Sequence, residues 1–268
     1  MAVNAWANVC VPVCVSMRAY GFVSTINPGS FSIRLSNFLT PSAQGGHIDT
    51  GLHGTYFMYK LLGDRASGYG FNGSLELAMT LTTADDHPGY MDILNNGYTT
   101  WPEAWGRCTD HKQPQAPYQC TQWVSGSASP MHGTLNGVGQ QFVSAIGGIQ
   151  RKQGGIGYQH IFFRAPFELA PTTLTHARAS LLTPYGNISS SWASDGHYHQ
   201  HNVSVPPNCV CTVRMPARMV RDVIVNGVPL EVGGEDVQAA VVNDDREGNN
   251  RIDVILGSGD HDLSSVIG

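Results

Sequence analysis

The segment from Asn95 to Trp105 concentrates the residue types that could do chemistry in this chain. A single carboxylate, Glu103, lies between two indoles, those of Trp101 and Trp105. Aromatic faces cover the apolar side of a sugar ring, and a carboxylate among them is partly shielded from water and can transfer a proton. The segment therefore predicts a carbohydrate site in which Glu103 is the reactive group. The alternative is a surface loop whose tryptophans cap a core and whose glutamate is solvated.

The order of residues around Glu103 resembles that of the α-L-rhamnosidases of glycoside hydrolase family 78. That family carries Gly-Tyr and then Asn-Gly-Ala-Thr-Thr-x-x-Glu-x-Trp, and its glutamate is the general base. This chain has Gly89-Tyr90 and then, in the same order, Asn96-Gly97-Tyr98-Thr99-Thr100-Trp101-Pro102-Glu103-Ala104-Trp105. Pro102 departs from the pattern, because a tryptophan is usual at that position. The resemblance implies that Glu103 is the general base, and the flanking Trp101 and Trp105 are predicted sugar contacts.

A second segment, Ser129 to His132, resembles the family's Ser-x-Asn-His motif, whose histidine contacts the bound sugar beside the base. Met131 replaces the asparagine in this chain. A lone histidine at the start of a helix is more often a cap or a surface group. The resemblance, with Glu103 upstream at a family-like separation, makes His132 a predicted sugar contact.

Three amphipathic helices are predicted around these segments. The first has apolar residues at helical spacing from Ile48 to Leu62, and the second begins at Ser74. The third opens near Ser129 and is expected to keep one buried side as far as Ile149. The residues expected on the buried sides are Leu52, Tyr56 and Tyr59, then Leu75, Ala78, Met79 and Thr82, and finally Leu135, Val138, Phe142 and Ala145. Long helices separated by functional loops are typical of a helical barrel.

Beyond Gly154 the apolar period changes from that of a helix to that of a strand. Strands are predicted around residues 158–163, 177–181, 203–205, 209–215, 223–225 and 252–256, and the last of these is expected to be the final strand. Cys209 and Cys211 fall on one face of one strand, so they are predicted to be small core residues and not a disulfide. Asn226-Gly227 signals a hairpin turn. The series predicts an antiparallel sandwich and looks like the family's C-terminal β-domain.

The composition excludes several classes of protein. With 41% hydrophobic and 13% charged residues, the chain is expected to be globular with a substantial core. A formal net charge of −5 argues against a nucleic-acid partner, and no apolar run is long enough to predict a membrane span. No cofactor is predicted. No metal is predicted either, because no second Cys or His pair with zinc spacing follows Cys10 and Cys14.

The cysteines and the glycosylation sequons leave the compartment open. Cys108 and Cys120 could close the loop between them as a disulfide, or they could be free thiols. Sequons at Asn72, Asn187 and Asn202 matter only in a secreted protein, and they tilt the expected localisation toward secretion. The oligomeric state cannot be read from these features.

The sequence predicts an α+β multidomain chain: a leader or linker over 1–45, part of an (α/α)6 barrel of the six-hairpin glycosidase type over 46–153, and an antiparallel β-sandwich over 154–268. By resemblance, its reaction is the inverting hydrolysis of terminal α-L-rhamnose from a glycoside or polysaccharide. The family's general acid lies in the first half of the barrel, so the chain is expected to be a fragment that lacks this acid and is inactive alone. The alternatives are a non-catalytic carbohydrate-binding remnant and a rhamnose-releasing polysaccharide lyase on a related barrel.

Overall fold

The described part of the chain forms two compact units. The computed structural model describes residues 48, 50, 52–63, 74–85, 88–95, 97–103, 105, 129, 131–152, 154–170, 172–230, 238–244 and 249–267. The first unit contains the described residues up to Leu62 and those within Glu76–Gly139. The second contains those within Gly63–Leu75 and Gln140–Gly268. The domain boundaries predicted from the sequence stay a prediction.

Some predicted features fall outside the described residues. These are the leader over 1–45, the pair formed by Cys108 and Cys120, and the sequon at Asn72. Within the described ranges, no helix combines the length and apolar character needed to cross a bilayer.

The first two predicted helices are present. They are α1 (Leu52–Gly63) and α2 (Ser74–Thr83), and a short helix not predicted from the sequence, α3 (Tyr90–Asn95), follows them. Tyr59, Leu75, Ala78 and Thr82 are buried as expected, whereas Tyr56 and Met79 are only half-buried. Tyr59 of α1 is 1% exposed, and its hydroxyl is hydrogen-bonded to that of Thr82 of α2 at 3.0 Å. Ile48 is buried as predicted but precedes α1.

The third predicted helix has a different form. The chain runs through a 3-10 turn (Gly133–Asn136), α4 (Gly137–Gln141) and a π turn (Phe142–Ile146), and Ile149 already belongs to a strand. Leu135, Val138 and Ala145 are buried as expected, but Phe142 is 47% exposed, so its predicted burial was wrong. A 3-10 turn and a π turn do not keep the α-helical period, so a face extrapolated through both misplaces residues.

Eleven strands are recorded in the described residues, and they form two sheets. They are β1 (Ile149–Arg151), β2 (His160–Phe163), β3 (His176–Thr183), β4 (Gly186–Ser194), β5 (Tyr198–Val205), β6 (Val210–Pro216), β7 (Val223–Val225), β8 (Val228–Pro229), β9 (Gln238–Asp244), β10 (Asn249–Leu256) and β11 (Gly259–Val266). One sheet has the order β1-β2-β6-β10-β9 and the other β3-β4-β5-β11-β7-β8. All pairs are antiparallel except β2 with β6, which is parallel.

The inner faces of the two sheets share one apolar core, which makes this unit the predicted sandwich. Phe163 and Val213 of the first sheet belong to the same buried cluster as Ile188 and Val203 of the second. The alternation that predicted Cys209 and Cys211 as core residues is confirmed, since both are buried free thiols.

The order of the final strands differs from the prediction. Residues 252–256 lie in β10, and β11 follows it and pairs with both β5 and β7. The strand β11 was missed because its sequence, Gly259 to Val266, is mostly polar. The hairpin at Asn226-Gly227 is confirmed, since both residues have positive φ angles, 51° and 81°, as the tight turn requires.

Candidate active site

The helix α3 and the turn after it direct the chain toward Glu103. The amide of Gly97 donates to the carbonyl of Leu94 at 2.9 Å, and that of Tyr98 donates to the carbonyl of Ile93 at 3.2 Å. Gly97 has a φ of 81°, the left-handed conformation that commonly ends a helix. The backbone then leaves the helix and enters the segment that contains Trp101 and Glu103.

Two backbone hydrogen bonds join this segment to the segment that contains His132. The amide of Glu103 donates to the carbonyl of Ser129 at 2.9 Å, and the amide of His132 donates to the carbonyl of Trp101 at 2.8 Å. The two segments therefore run side by side although about 30 residues of sequence separate them. The pairing brings Trp101, Glu103 and His132 together in one place.

The carboxylate of Glu103 is held by a backbone donor. Its Oε2 accepts a hydrogen bond from the amide of Ser129 at 2.8 Å, and the side chain is half-buried. Among the described residues, no hydrogen-bond donor is recorded for Oε1. A hydrogen bond to an ionised oxygen is short and directional, so it fixes the plane of the carboxylate. One oxygen is thus anchored, and the other can take a proton from a water molecule.

The two indoles beside Glu103 pack against the same buried ring. The ring of Tyr90 lies 5.1 Å from that of Trp101 and 5.0 Å from that of Trp105, and each pair is edge-to-face at 83°. Tyr90 is only 2% exposed, whereas both tryptophans are half-buried. The tryptophans are therefore anchored from the inside and keep part of their surface in contact with solvent.

His132 stands at the N-cap position of the 3-10 turn that begins at Gly133. Its backbone is extended, with φ −150° and ψ 143°, and its side chain makes no capping hydrogen bond. The imidazole is exposed. The capping role is therefore absent, and the exposure fits both of the remaining predictions for this histidine, a surface group and a sugar contact.

Two features of the site were not predicted from the sequence. The amide of Ser129 orients the carboxylate, and the ring of Tyr90 supports both indoles. Tyr90 is part of the Gly-Tyr pair that precedes the site. The sequence therefore pointed to the residue but did not predict its role. Within the described ranges, no group of three or more His, Cys, Asp or Glu side chains is arranged to hold a metal ion.

Two protein-family models match the chain, one for each part of the fold. Residues 39–142 match the bacterial α-L-rhamnosidase six-hairpin glycosidase domain, and residues 148–226 match the bacterial α-L-rhamnosidase C-terminal domain. Both parts of the chain are similar to α-L-rhamnosidases. Together they correspond to the C-terminal part of these glycoside hydrolases, where part of the helical barrel is followed by a β-domain.

Curated α-L-rhamnosidases are similar to this chain over most of its length. An α-L-rhamnosidase of Formosa agariphila is 28% identical over 221 residues, which is 82% of this chain and 20% of that protein. One of Streptomyces avermitilis is 27% identical over 175 residues, which is 65% of this chain and 15% of that protein. The chain thus spans about a fifth or less of the length of these relatives.

The solved structures of two α-L-rhamnosidases share the fold. The structure of the Streptomyces avermitilis enzyme complexed with L-rhamnose has a TM-score of 0.64 at 24% identity, and the match covers 88% of this chain and 19% of that enzyme's chain. The structure of the enzyme from Dictyoglumus thermophilum has a TM-score of 0.61 at 21% identity, and the match covers 88% of this chain and 23% of that enzyme's chain.

Proposed function

We propose that this chain carries the general base and part of the sugar-binding surface of an enzyme that hydrolyses terminal α-L-rhamnosides with inversion. The observation that supports this proposal best is the anchored carboxylate of Glu103, held at 2.8 Å by the amide of Ser129 between two half-buried indoles. The expected substrate is a rhamnose-containing glycoside or polysaccharide, in line with the names of the relatives.

In the proposed reaction, Glu103 removes a proton from a water molecule while the water oxygen attacks the anomeric carbon. The bond from that carbon to the leaving oxygen breaks on the opposite face, where a second carboxylic acid protonates the leaving group. Inverting enzymes hold their two carboxyl groups about 6.5 to 9.5 Å apart, which leaves room for the water molecule. We place this acid in the portion of the relatives' length that the chain does not span. We therefore expect this chain alone to bind sugar and to hydrolyse it poorly.

The sugar contacts can be tested by binding. We expect Trp105→Ala and His132→Ala each to weaken the binding of L-rhamnose by roughly 1 to 3 kcal/mol, because each removes a stacking surface or a polar partner. Isothermal titration calorimetry on the 268-residue chain measures this change.

Residues of the same types in the β-sandwich serve as controls. Trp192 is 2% exposed and belongs to β4, and His176 is exposed at the start of β3. Trp192→Phe and His176→Ala should leave the affinity for rhamnose unchanged. Equal affinity in wild type, Trp105→Ala and His132→Ala would remove both residues from the proposed site.

A further inference from the structure

Tyr90 makes three contacts that converge on the candidate site. Its ring meets the rings of Trp101 and Trp105 edge-to-face, at 5.1 and 5.0 Å. Its hydroxyl donates a hydrogen bond to the carbonyl of Leu135 at 2.7 Å, three residues beyond His132. One buried side chain thus touches both indoles and the turn that His132 begins.

The burial of Tyr90 restricts it to an indirect role. The side chain is 2% exposed, and burial raises the pKa of its hydroxyl far above the ordinary value for tyrosine. The hydroxyl therefore stays protonated and acts as a hydrogen-bond donor. Since the ring and the hydroxyl point at separate segments, a rigid Tyr90 couples the position of the indoles to that of the imidazole.

We infer that Tyr90 is a positioning residue for rhamnose recognition, which holds Trp101 and Trp105 through its ring and the His132 turn through its hydroxyl. This inference rests on the proposed function, because it takes these three side chains as the sugar contacts. The two halves of Tyr90 have separable effects: the ring orients the stacking surface, and the hydroxyl sets the polar contact.

Tyr59 provides a matched control for the buried hydroxyl. It is 1% exposed, its ring lies 6.0 Å from that of Tyr90, and its hydroxyl is hydrogen-bonded to Thr82 at 3.0 Å. Neither Trp101 nor Trp105 is recorded among its ring contacts within the described residues. Tyr59→Phe and Tyr90→Phe each remove one buried hydroxyl and keep the ring, so a purely structural role would give the two variants the same behaviour.

The test compares affinity for L-rhamnose and near-ultraviolet circular dichroism in the 268-residue chain. Tyr90→Phe is expected to raise the Kd by about threefold to tenfold, the effect of one lost hydrogen bond, while Tyr59→Phe stays within about twofold of wild type. Tyr90→Leu, which also loses both ring contacts, is expected to raise the Kd by roughly another tenfold and to flatten the indole bands. Those bands are expected to survive in Tyr90→Phe.

The outcomes separate this inference from the proposed function. If the wild-type chain does not bind rhamnose, the proposed function of the chain fails. The indole bands of Tyr90→Leu and Tyr90→Phe then show by themselves whether Tyr90 positions the indoles. If rhamnose binds, an equal Kd in Tyr90→Phe and Tyr59→Phe would overturn the role of the hydroxyl. Indole bands unchanged in Tyr90→Leu would overturn the role of the ring.

Discussion

Glu103→Gln is expected to lower the kcat for an aryl α-L-rhamnoside by about 10²- to 10⁴-fold, because the amide cannot accept the proton of the attacking water. The measurement uses the form of the protein that turns over rhamnosides, whether this chain or a longer protein that contains it. Glutamine keeps the size of the side chain, and its amide oxygen can still accept the hydrogen bond from Ser129. Rhamnose binding should therefore stay close to that of wild type.

An exposed carboxylate of the same unit provides the control for this variant. Asp85 follows the end of α2 and is exposed, so Asp85→Asn changes the charge by the same amount away from the site. Its kcat should equal that of wild type. A Glu103→Gln enzyme with unchanged turnover would show that another group is the base.

The second large effect is expected in the β-sandwich, where two buried histidines should make the fold labile to acid. His199 and His201 point to the inner side of β5, and both are 0% exposed. Burial lowers the pKa of His199 to about 3, and burial with the neighbouring His199 also lowers the pKa of His201. Both imidazoles are therefore neutral in the folded state at ordinary pH.

The surroundings of the pair offer little to stabilise a charged imidazole. The ring of His199 stacks on Trp192 and meets Phe167, whose ring also lies 4.3 Å from the guanidinium carbon of Arg251. The guanidinium carbon of Arg164 lies 5.7 Å from the same Phe167 ring and is paired with Glu168. The hydroxyl of Ser190 lies 2.9 Å from Nε2 of His201. A proton on either histidine would thus add positive charge to a region that already holds two arginines.

The sign of the pH dependence follows from proton uptake. Below the ordinary histidine pKa of about 6.5, the unfolded chain binds protons that the folded state does not, so stability falls as the pH falls. For two histidines that stay neutral when folded, the loss between about pH 7 and about pH 5 is roughly 4 kcal/mol in the free energy of unfolding. Urea denaturation at the two pH values measures it.

A double variant isolates the contribution of the pair. His199→Leu with His201→Leu should flatten the pH dependence over this range, whereas replacing the exposed His197 with glutamine should leave it as in wild type. The same acid loss in wild type and in the double variant would contradict this explanation.

The parts of the fold that could be predicted from the sequence are those with one unbroken period. Tyr59 and Leu62 of α1 repeat at helical spacing on a single buried side, and Cys209, Cys211 and Val213 are buried at every second position on one face. Phe142 was misplaced because the chain changes from 3-10 to α-helical geometry at Gly137 and from α-helical to π-helical geometry at Phe142 itself. No local pattern in the sequence signals such a change.

In the candidate site, too, some features follow from neighbouring residues in the sequence and others from contacts between distant segments. The alternation of Trp101, Glu103 and Trp105 is local, so it could be recognised from the residues and from the family resemblance. The support of Glu103 by the amide of Ser129 depends on backbone pairing between distant segments, which composition and spacing do not encode. The position of Tyr90 behind both indoles is likewise set by the packing of three segments.

The role of Glu103 is tested most directly by the product that a Glu103→Ala variant forms with azide. Removal of the base leaves space for azide beside the anomeric carbon of an activated aryl α-L-rhamnoside. The carbon–nitrogen bond then forms as the bond to the aglycone breaks, and the aglycone leaves as a phenolate. Because attack comes from the face where water would be activated, we predict β-L-rhamnosyl azide, identified by proton NMR. An α-azide product, or hydrolysis by the variant at the wild-type rate without azide, would contradict the assignment of Glu103 as the general base of an inverting enzyme.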